Sequence, residues 1–307
     1  MSVVEEEQVP SRRKPAWLRI KLASGQDCRS VRNVVRGQRL HTVCESAKCP
    51  NQHECWGKWK TATFMILGNT CTRRCRFCAV DTGLPEVVDS DEPRRIAESV
   101  REMGLRHVVI TMVTRDDLPD GGARVVADTV EAIHAQAPDC SVEVLVSDLM
   151  VEPSAVAAVV ASQPEINSHN LETVRRLTPR IRSRSDYDRS LLYLKMVKDR
   201  APTAITKSSL MLGLGEEPEE VLAAMDDLRA VGVDIINLGQ YLQPTKTHAA
   251  VVRYWTPEEF ADLKVGALEK GFLYCEAGPL VRSSYHAGAQ YDAFLKKVLA
   301  DRASAEA

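Results

Sequence analysis

The sequence predicts an α/β protein: an incomplete (βα)6 TIM-like barrel over residues 61–290, preceded by a cysteine-rich extension over 1–60 and followed by a short tail over 291–307. Three observations predict it. Short apolar runs of strand length alternate with amphipathic helical stretches, the order expected of a parallel sheet covered by helices on both faces. About six strand–helix units and a last strand can be counted, too few for an eight-unit barrel. Three cysteines follow the first strand directly, at the end where barrels carry their chemistry. Alternation alone leaves a doubly wound sheet open; the cysteine site favours the barrel.

In chain order, residues 1 to about 15 are polar and charged, end in SRRKP, and read as a flexible arm. From Trp17 to Trp59 periodicity is weak and cysteines are dense, so this stretch reads as an irregular extension held by whatever its thiols bind. Strands are expected at 62–68 (ATFMILG), 107–113 (HVVITMV), 141–147 (SVEVLVS), 204–214 (AITKSSLMLGL) and 233–239 (VDIINLG). Weaker candidates are EINSH at 165–169 and FLYC at 272–275. The helices carry start and stop signals. One begins at Pro93, lines a face with Ile96, Val100 and Met103, and ends at Gly104. A second runs from Pro218 past Val221, Met225 and Leu228 to Gly232. Thr256-Pro257-Glu258-Glu259 is a capping box for a third, with Phe260, Leu263 and Ala267 as its stripe and Gly271 as its stop. Ser185 is a candidate cap for a helix bearing Tyr187, Leu191 and Leu194.

With 307 residues and 44% hydrophobic content, the chain can bury one large core. A formal charge of -2 gives no footprint for nucleic acid, and no apolar run reaches membrane-spanning length. The opening MSVVEEEQVP has three glutamates and no apolar segment, so a cytoplasmic protein is expected.

The nine cysteines are the strongest bulk signal, because six of them lie between 44 and 78. In a chain this large without an export signal, that density points to metal binding or catalysis rather than disulfides. GNTCTRRCRFCAV places Cys71-x3-Cys75-x2-Cys78 on one tight loop. Three thiolates there can hold three irons of a [4Fe–4S] cluster and leave the fourth iron open. The alternative is structural zinc, which usually pairs two Cys-x2-Cys halves or adds histidines. Upstream, HTVCESAKCPNQHECWG gives Cys44-x4-Cys49-x5-Cys55, fit for a second cluster one ligand short, or for a Cys3His zinc site completed by His41 or His53. Cys28, Cys140 and Cys275 have no assigned role.

The Cys-x3-Cys-x2-Cys spacing, with Phe77 before its last cysteine, resembles the radical S-adenosylmethionine (SAM) superfamily. The ordered pair of triplets resembles the lipoyl synthase family within it. PAWLRIKL (15–22), RDDLPDGGA (115–123), SHNLETV (168–174), TKSSLMLGLGE (206–216), GQYLQPT (239–245), RYWTPEEF (253–260) and GPLVRSSYHA (278–287) are similar to that family's landmark stretches. Two departures stand out. Met112 occupies a position usually small in that family, and Arg182-Ser183-Arg184-Ser185 replaces a stretch that often contains Pro-Gly; both bear on local loop shape, and neither is expected to touch a ligand.

The resemblance implies two [4Fe–4S] clusters and SAM as cofactors. It assigns Cys71, Cys75 and Cys78 to the SAM-binding cluster. Cys44, Cys49, Cys55 and, from the Arg-Ser-Ser-Tyr motif, Ser284 fall to the auxiliary cluster. It further implies reductive cleavage of SAM to a 5′-deoxyadenosyl radical and hydrogen abstraction at C6 and then C8 of a protein-bound octanoyl chain. Sulfur from the auxiliary cluster is captured at both carbons. The implied partners are octanoylated lipoyl carrier domains (2-oxoacid dehydrogenase E2 subunits and the glycine cleavage H protein) and an electron donor such as ferredoxin or flavodoxin. An acyl chain has no acidic hydrogens, so a one-electron cofactor suits it. Asn69, Asn170, Glu172 and Lys207, read as lying at strand ends or in the loops after them, are candidates for contact with SAM or substrate; Arg115, Asp116 and Asp117 share that position. MLGLGE (211–216) is a candidate wall for the adenine. Two other readings stay open here: a biotin synthase-like sulfur-inserting enzyme, and a zinc-stabilised module without catalysis.

Overall fold

The computed structural model describes residues 14–18, 26–46, 49, 51–57 and 61–305. The expected arm over 1 to about 15, apart from its last two residues, the second half of the PAWLRIKL segment (19–22) and Trp59 lie outside them. Within the extension, α1 (Gln26–Gly37) is followed by β1 (His41–Thr42), α2 (Val43–Ser46) and α3 (Gln52–Gly57). The stretch is therefore not irregular, as its weak periodicity suggested. Two valines one turn apart, Val31 and Val35, suffice to bury one stripe of α1 against α3 and the barrel's first helix, and Trp56 of α3 is fully buried.

The barrel begins with β2 (Thr63–Ile66), then a small parallel pair, β3 (Thr70–Cys71) and β4 (Asp81–Thr82). Strands and helices then alternate: α4 (Glu92–Met103), β5 (His107–Met112), α5 (Ala123–Gln136), β6 (Ser141–Leu145), α6 (Pro153–Ala161) and β7 (Ile166–Ser168). Next come α7 (Thr178–Ile181), α8 (Tyr187–Arg200), β8 (Ile205–Leu212), α9 (Pro218–Ala230), β9 (Ile235–Gln240), α10 (Pro257–Glu269), β10 (Tyr274–Gly278) and α11 (Ala287–Ala305). The main sheet runs β1-β2-β5-β6-β7-β8-β9-β10, parallel except for β1, which pairs antiparallel on β2. The parallel order never reverses, whereas a doubly wound sheet must reverse it. The result is a partial barrel of six βα units and a closing strand.

Each apolar run became a strand because both of its faces are covered. Phe64, Ile66, Val108, Ile110, Val142, Val144 and Ile236 are almost wholly buried, each contributing roughly 1.5–3 kcal/mol. The helix signals hold as well. Gly104 ends α4 in the left-handed conformation, at φ +59°. Thr256 and Glu259 close a reciprocal capping box on α10. The cap of α8 is Asp186, not Ser185: its carboxylate accepts from the Arg189 amide at 2.7 Å, an acceptor stronger than a hydroxyl.

The sheet stays open between β2 and β10, and that seam is bridged by other means. Asn51 Nδ2 donates to Leu280 O at 2.7 Å, and Thr63 Oγ1 to Ser284 Oγ at 3.0 Å. The extension and the segment after β10 thus meet over the first strand.

Candidate functional site

The seam carries the first cysteine set. Two short helices and the turn between them bring Cys44, Cys49 and Cys55 to one pocket, through bonds from Cys49 N to Cys44 O at 3.0 Å and Cys55 N to Asn51 O at 2.9 Å. The C-terminal side is set by β9. Asn237 Nδ2 donates to Ser283 O at 2.9 Å, and Gly239 lets the chain lie close, since a Cβ there would sit 2.1 Å from Val281 O. Cys44, Cys49, Cys55, Thr63, Arg282 and Ser284 line one small cavity. Burial pushes the Cys55 thiol up to about 12, with Cys49 and Cys44 adding to it, and burial pushes Cys44 up to about 11. Ser284 thus shares this cavity with the three thiols and is bonded to Thr63, 221 residues earlier in the chain.

The second set sits on the loop after β2, pinned at its base by the pairing of Thr70 with Asp81 and Cys71 with Thr82. Arg73, between the first two cysteines and 4% exposed, forks onto Asp116 at 2.8 Å and Asp148 at 2.7 Å. His248 Nε2 meets Cys78 O at 2.9 Å, and Ala249 N donates to Arg76 O at 2.8 Å. Burial pushes Cys75 up to about 12 and Cys78 up to about 11; Glu172 and the Cys71 thiol add to both.

The divergent stretch 182–185 does touch this loop, against expectation. Arg182 forms a backbone bridge with Cys75, Ser183 Oγ donates to Arg74 O at 2.8 Å, and Arg73 Nη1 to Ser185 Oγ at 3.3 Å. Arg184 pays for this route with φ +64°. Relief of left-handed strain, about 1–2 kcal/mol, exceeds the backbone entropy lost to glycine, about 0.5–1. Arg184→Gly is thus expected to stabilise the fold by roughly 0.5–1 kcal/mol, read as a higher urea midpoint at unchanged slope. Met112 is simply the half-buried last residue of β5.

Asn170 and Glu172 follow β7 beside this loop. Asn170 Nδ2 donates to Glu172 Oε1 at 3.1 Å, while its buried Oδ1 has no partner among the described residues. Burial pushes the Glu172 carboxyl above the usual carboxylate range. Asn69 is exposed and accepts from Thr70 Oγ1 at 3.1 Å. Lys207 is a correction: it is not at a strand end. It lies three residues before Leu210, the bridge partner of Glu172, hence about 10 Å down β8. There its ammonium pairs with fully buried Glu143 at 2.9 Å. Arg115 and Asp117 pair with each other, and Leu212 and Leu214 of the MLGLGE stretch are buried.

A family model for the radical SAM superfamily matches residues 65–228. A lipoyl synthase from Shouchella clausii is 57% identical over 286 residues, covering 93% of either chain. A lipoyl synthase from Oceanobacillus iheyensis is 58% identical over 91% of this chain and 88% of its own. The chain belongs to the lipoyl synthase family. Among solved structures, methylornithine synthase is similar with a TM-score of 0.56 at 12% identity, over 80% of this chain and 68% of that one. The FeFe-hydrogenase maturase of Carboxydothermus hydrogenoformans follows at 0.55 and 14%, over 79% and 62%. Those two likenesses speak for the barrel alone.

Enzymes of the lipoyl synthase family work with [4Fe–4S] clusters and SAM, and the residues present fit both. Each thiol set offers three soft donors, a ligand short of four. One set lines a cavity, and beside the other stands an orphaned acceptor, Asn170 Oδ1, next to a buried carboxyl. Among the described residues no three His, Cys, Asp or Glu side chains converge tightly enough for a single metal ion. His53, one histidine weighed for zinc, has its side chain outside those residues. Sequence reasoning missed Arg73, Asp148, Thr63 and His248. The charge of Arg73 inside the cysteine loop was the one available signal. Cys140 and Cys275 are buried, and Cys28 lies on α1 with its side chain outside the described residues.

The raised thiols set a pH dependence for the cluster-free protein. A group whose folded pKa exceeds its unfolded one contributes stability fully below the unfolded value and loses it as pH rises through the folded one. The thiols move from an ordinary 9.0 to about 11 for Cys44 and about 12 for Cys55, so stability is expected to fall from pH 9 upward. Urea melts at about pH 8 and about pH 10.5 should show a smaller fall in a Cys44→Ala, Cys49→Ala, Cys55→Ala variant.

Proposed function

We propose that the chain inserts two sulfur atoms, at C6 and C8 of an octanoyl group held in amide linkage by a lysine of a lipoyl carrier domain. The carriers are lipoyl domains of 2-oxoacid dehydrogenase E2 subunits and the glycine cleavage H protein. Ferredoxin or flavodoxin supplies electrons, in the cytoplasm. No described helix is long and apolar enough to cross a membrane.

No side chain of this protein can remove a hydrogen from a saturated chain as a base. When bound, the SAM-carrying cluster supplies hydrogen-atom abstraction and the auxiliary cluster supplies sulfur. Cys71, Cys75 and Cys78 hold the first and leave one position open to SAM. Arg73 and His248 hold their loop. Asn170 Oδ1 and Glu172 accept hydrogen bonds from the nucleoside hydroxyls, which answers the orphaned acceptor. Asn69 flanks the loop. Cys44, Cys49 and Cys55 hold the second cluster, and Ser284 completes it with a harder, more easily released oxygen.

The observation that carries this reading is the shared cavity of Cys44, Cys49, Cys55 and Ser284 at the barrel seam. The test is anaerobic reaction with SAM, dithionite and an octanoyl-lysine peptide, followed by mass spectrometry. Products with one and then two added sulfurs are expected. SAM cleavage with an unaltered peptide would contradict the proposal.

A further inference from the structure

Arg282 belongs to the Arg-Ser-Ser-Tyr motif, yet no role above requires it. It lines the cavity of Cys44, Cys49, Cys55 and Ser284 and is only partly exposed there. Its Nη1 donates to the carbonyl of its own neighbour, Val281, at 2.6 Å. Among the described residues no carboxylate lies within ion-pair distance of it, and Cys49 is the charged-capable group that acts on it. The position is built. Asn237 holds the Arg282 carbonyl at 3.3 Å, and Gly239 lets the preceding Val281 carbonyl lie close, since a Cβ there would stand 2.1 Å from Val281 O.

A guanidinium partly withdrawn from water without an anion is destabilised, and charged groups that lose hydration are normally paired. The groups in this cavity able to carry negative charge beside Arg282 are the thiols of Cys44, Cys49 and Cys55, set among neutral polar side chains such as Asn51 and Thr63. We infer that Arg282 is the counter-charge of the auxiliary site, a positioning residue whose guanidinium retains the anionic thiolate cluster without ligating it. The inference rests on the two-cluster reading. It adds that the fold carries a built-in cost when the site is empty. Arginine suits this place because its charge persists at any working pH and its fork can meet sulfur atoms without displacing a ligand.

The two consequences have opposite signs, which separates this role from a structural one. In the full chain carrying Cys71→Ala, Cys75→Ala and Cys78→Ala, only the auxiliary site takes iron. After anaerobic reconstitution, Arg282→Gln is expected to lose that iron to a chelator about 10–100-fold faster, the range for residues that support metal ligands. Arg282→Lys keeps the charge and should stay near the parent. In the cluster-free state Arg282→Gln should raise the thermal midpoint, because an unanswered cation has gone. Equal iron release from the parent and Arg282→Gln would overturn the inference and leave the two-cluster reading standing. Faster release with a lowered cluster-free midpoint would also overturn it, as that is plain structural damage. Failure of the parent to take iron would overturn both.

Discussion

Replacing Cys44, Cys49 and Cys55 together by alanine is expected to divide the reaction in two. The variant should still cleave SAM under reducing conditions, at a rate close to that of the parent, and should add no sulfur to an octanoyl-lysine peptide. The reason lies in how the fold separates the sets. One is fixed by loops at the strand ends, through Asp116, Asp148 and His248. The other is fixed at the seam by the extension and the segment after β10, through Asn51 and Ser284. Iron should fall to about half of an anaerobically reconstituted parent, as expected for one [4Fe–4S] cluster out of two. Liquid chromatography of SAM products, run beside peptide mass spectrometry, reads both halves. A folded variant that no longer cleaves SAM would show that the assignment of the two sets is wrong.

The largest expected loss of stability follows from Arg73→Ala. Arg73 is 3% exposed at its side chain and Asp148 is 0% exposed, so the change leaves a buried carboxylate short of its main partner. Breaking such a pair is destabilising by about 3–5 kcal/mol. Arg189 still reaches Asp148 at 2.9 Å, which places the expectation near the lower end, about 3 kcal/mol. Arg73→Lys should recover little, because one ammonium cannot fork onto two carboxylates. A pH signature accompanies it. Burial pushes Asp148 up, but the hydrogen bonds and charge of Arg73 outweigh it and hold the carboxyl well below its usual range. A depressed carboxyl contributes stability above its unfolded pKa and loses it as pH falls. Acid melts of the parent should therefore be steeper than those of Arg73→Ala. An Arg73→Ala protein as stable as the parent would mean that the loop is held by other contacts.

The barrel was legible because unbroken apolar runs have few other uses in a chain this polar. HVVITMV and VDIINLG became β5 and β9 within a residue or two. The capping signals at Thr256 and Gly104 are local chemistry and needed no tertiary context. The extension was misread because its helices are short and carry few apolar side chains. Their stability comes from packing on α4 and over β2, which no window of sequence contains. Lys207 was misplaced for a related reason. A polar residue in an apolar run looks like the end of a strand, whereas here β8 runs five residues beyond it and Glu143, 64 residues away, neutralises it inside the barrel. The cysteines and Ser284 were legible as a motif. That motif also implied that the segment after β10 meets the extension, but not the contacts that join them, which depend on Thr63 and Asn51 reaching segments more than 200 residues away.

In the proposed function the thiols at the seam hold the cluster that gives up the sulfur. The most direct measurement is a single turnover with chain whose clusters were rebuilt from 34S-labelled sulfide, in buffer free of sulfide, with SAM, dithionite and an octanoyl-lysine peptide. The account predicts both sulfurs of the product to carry the label, and no sulfur-bearing product from Ser284→Ala or from the Cys44, Cys49 and Cys55 variant. A product with unlabelled sulfur, or labelled product made equally well by those variants, would contradict it.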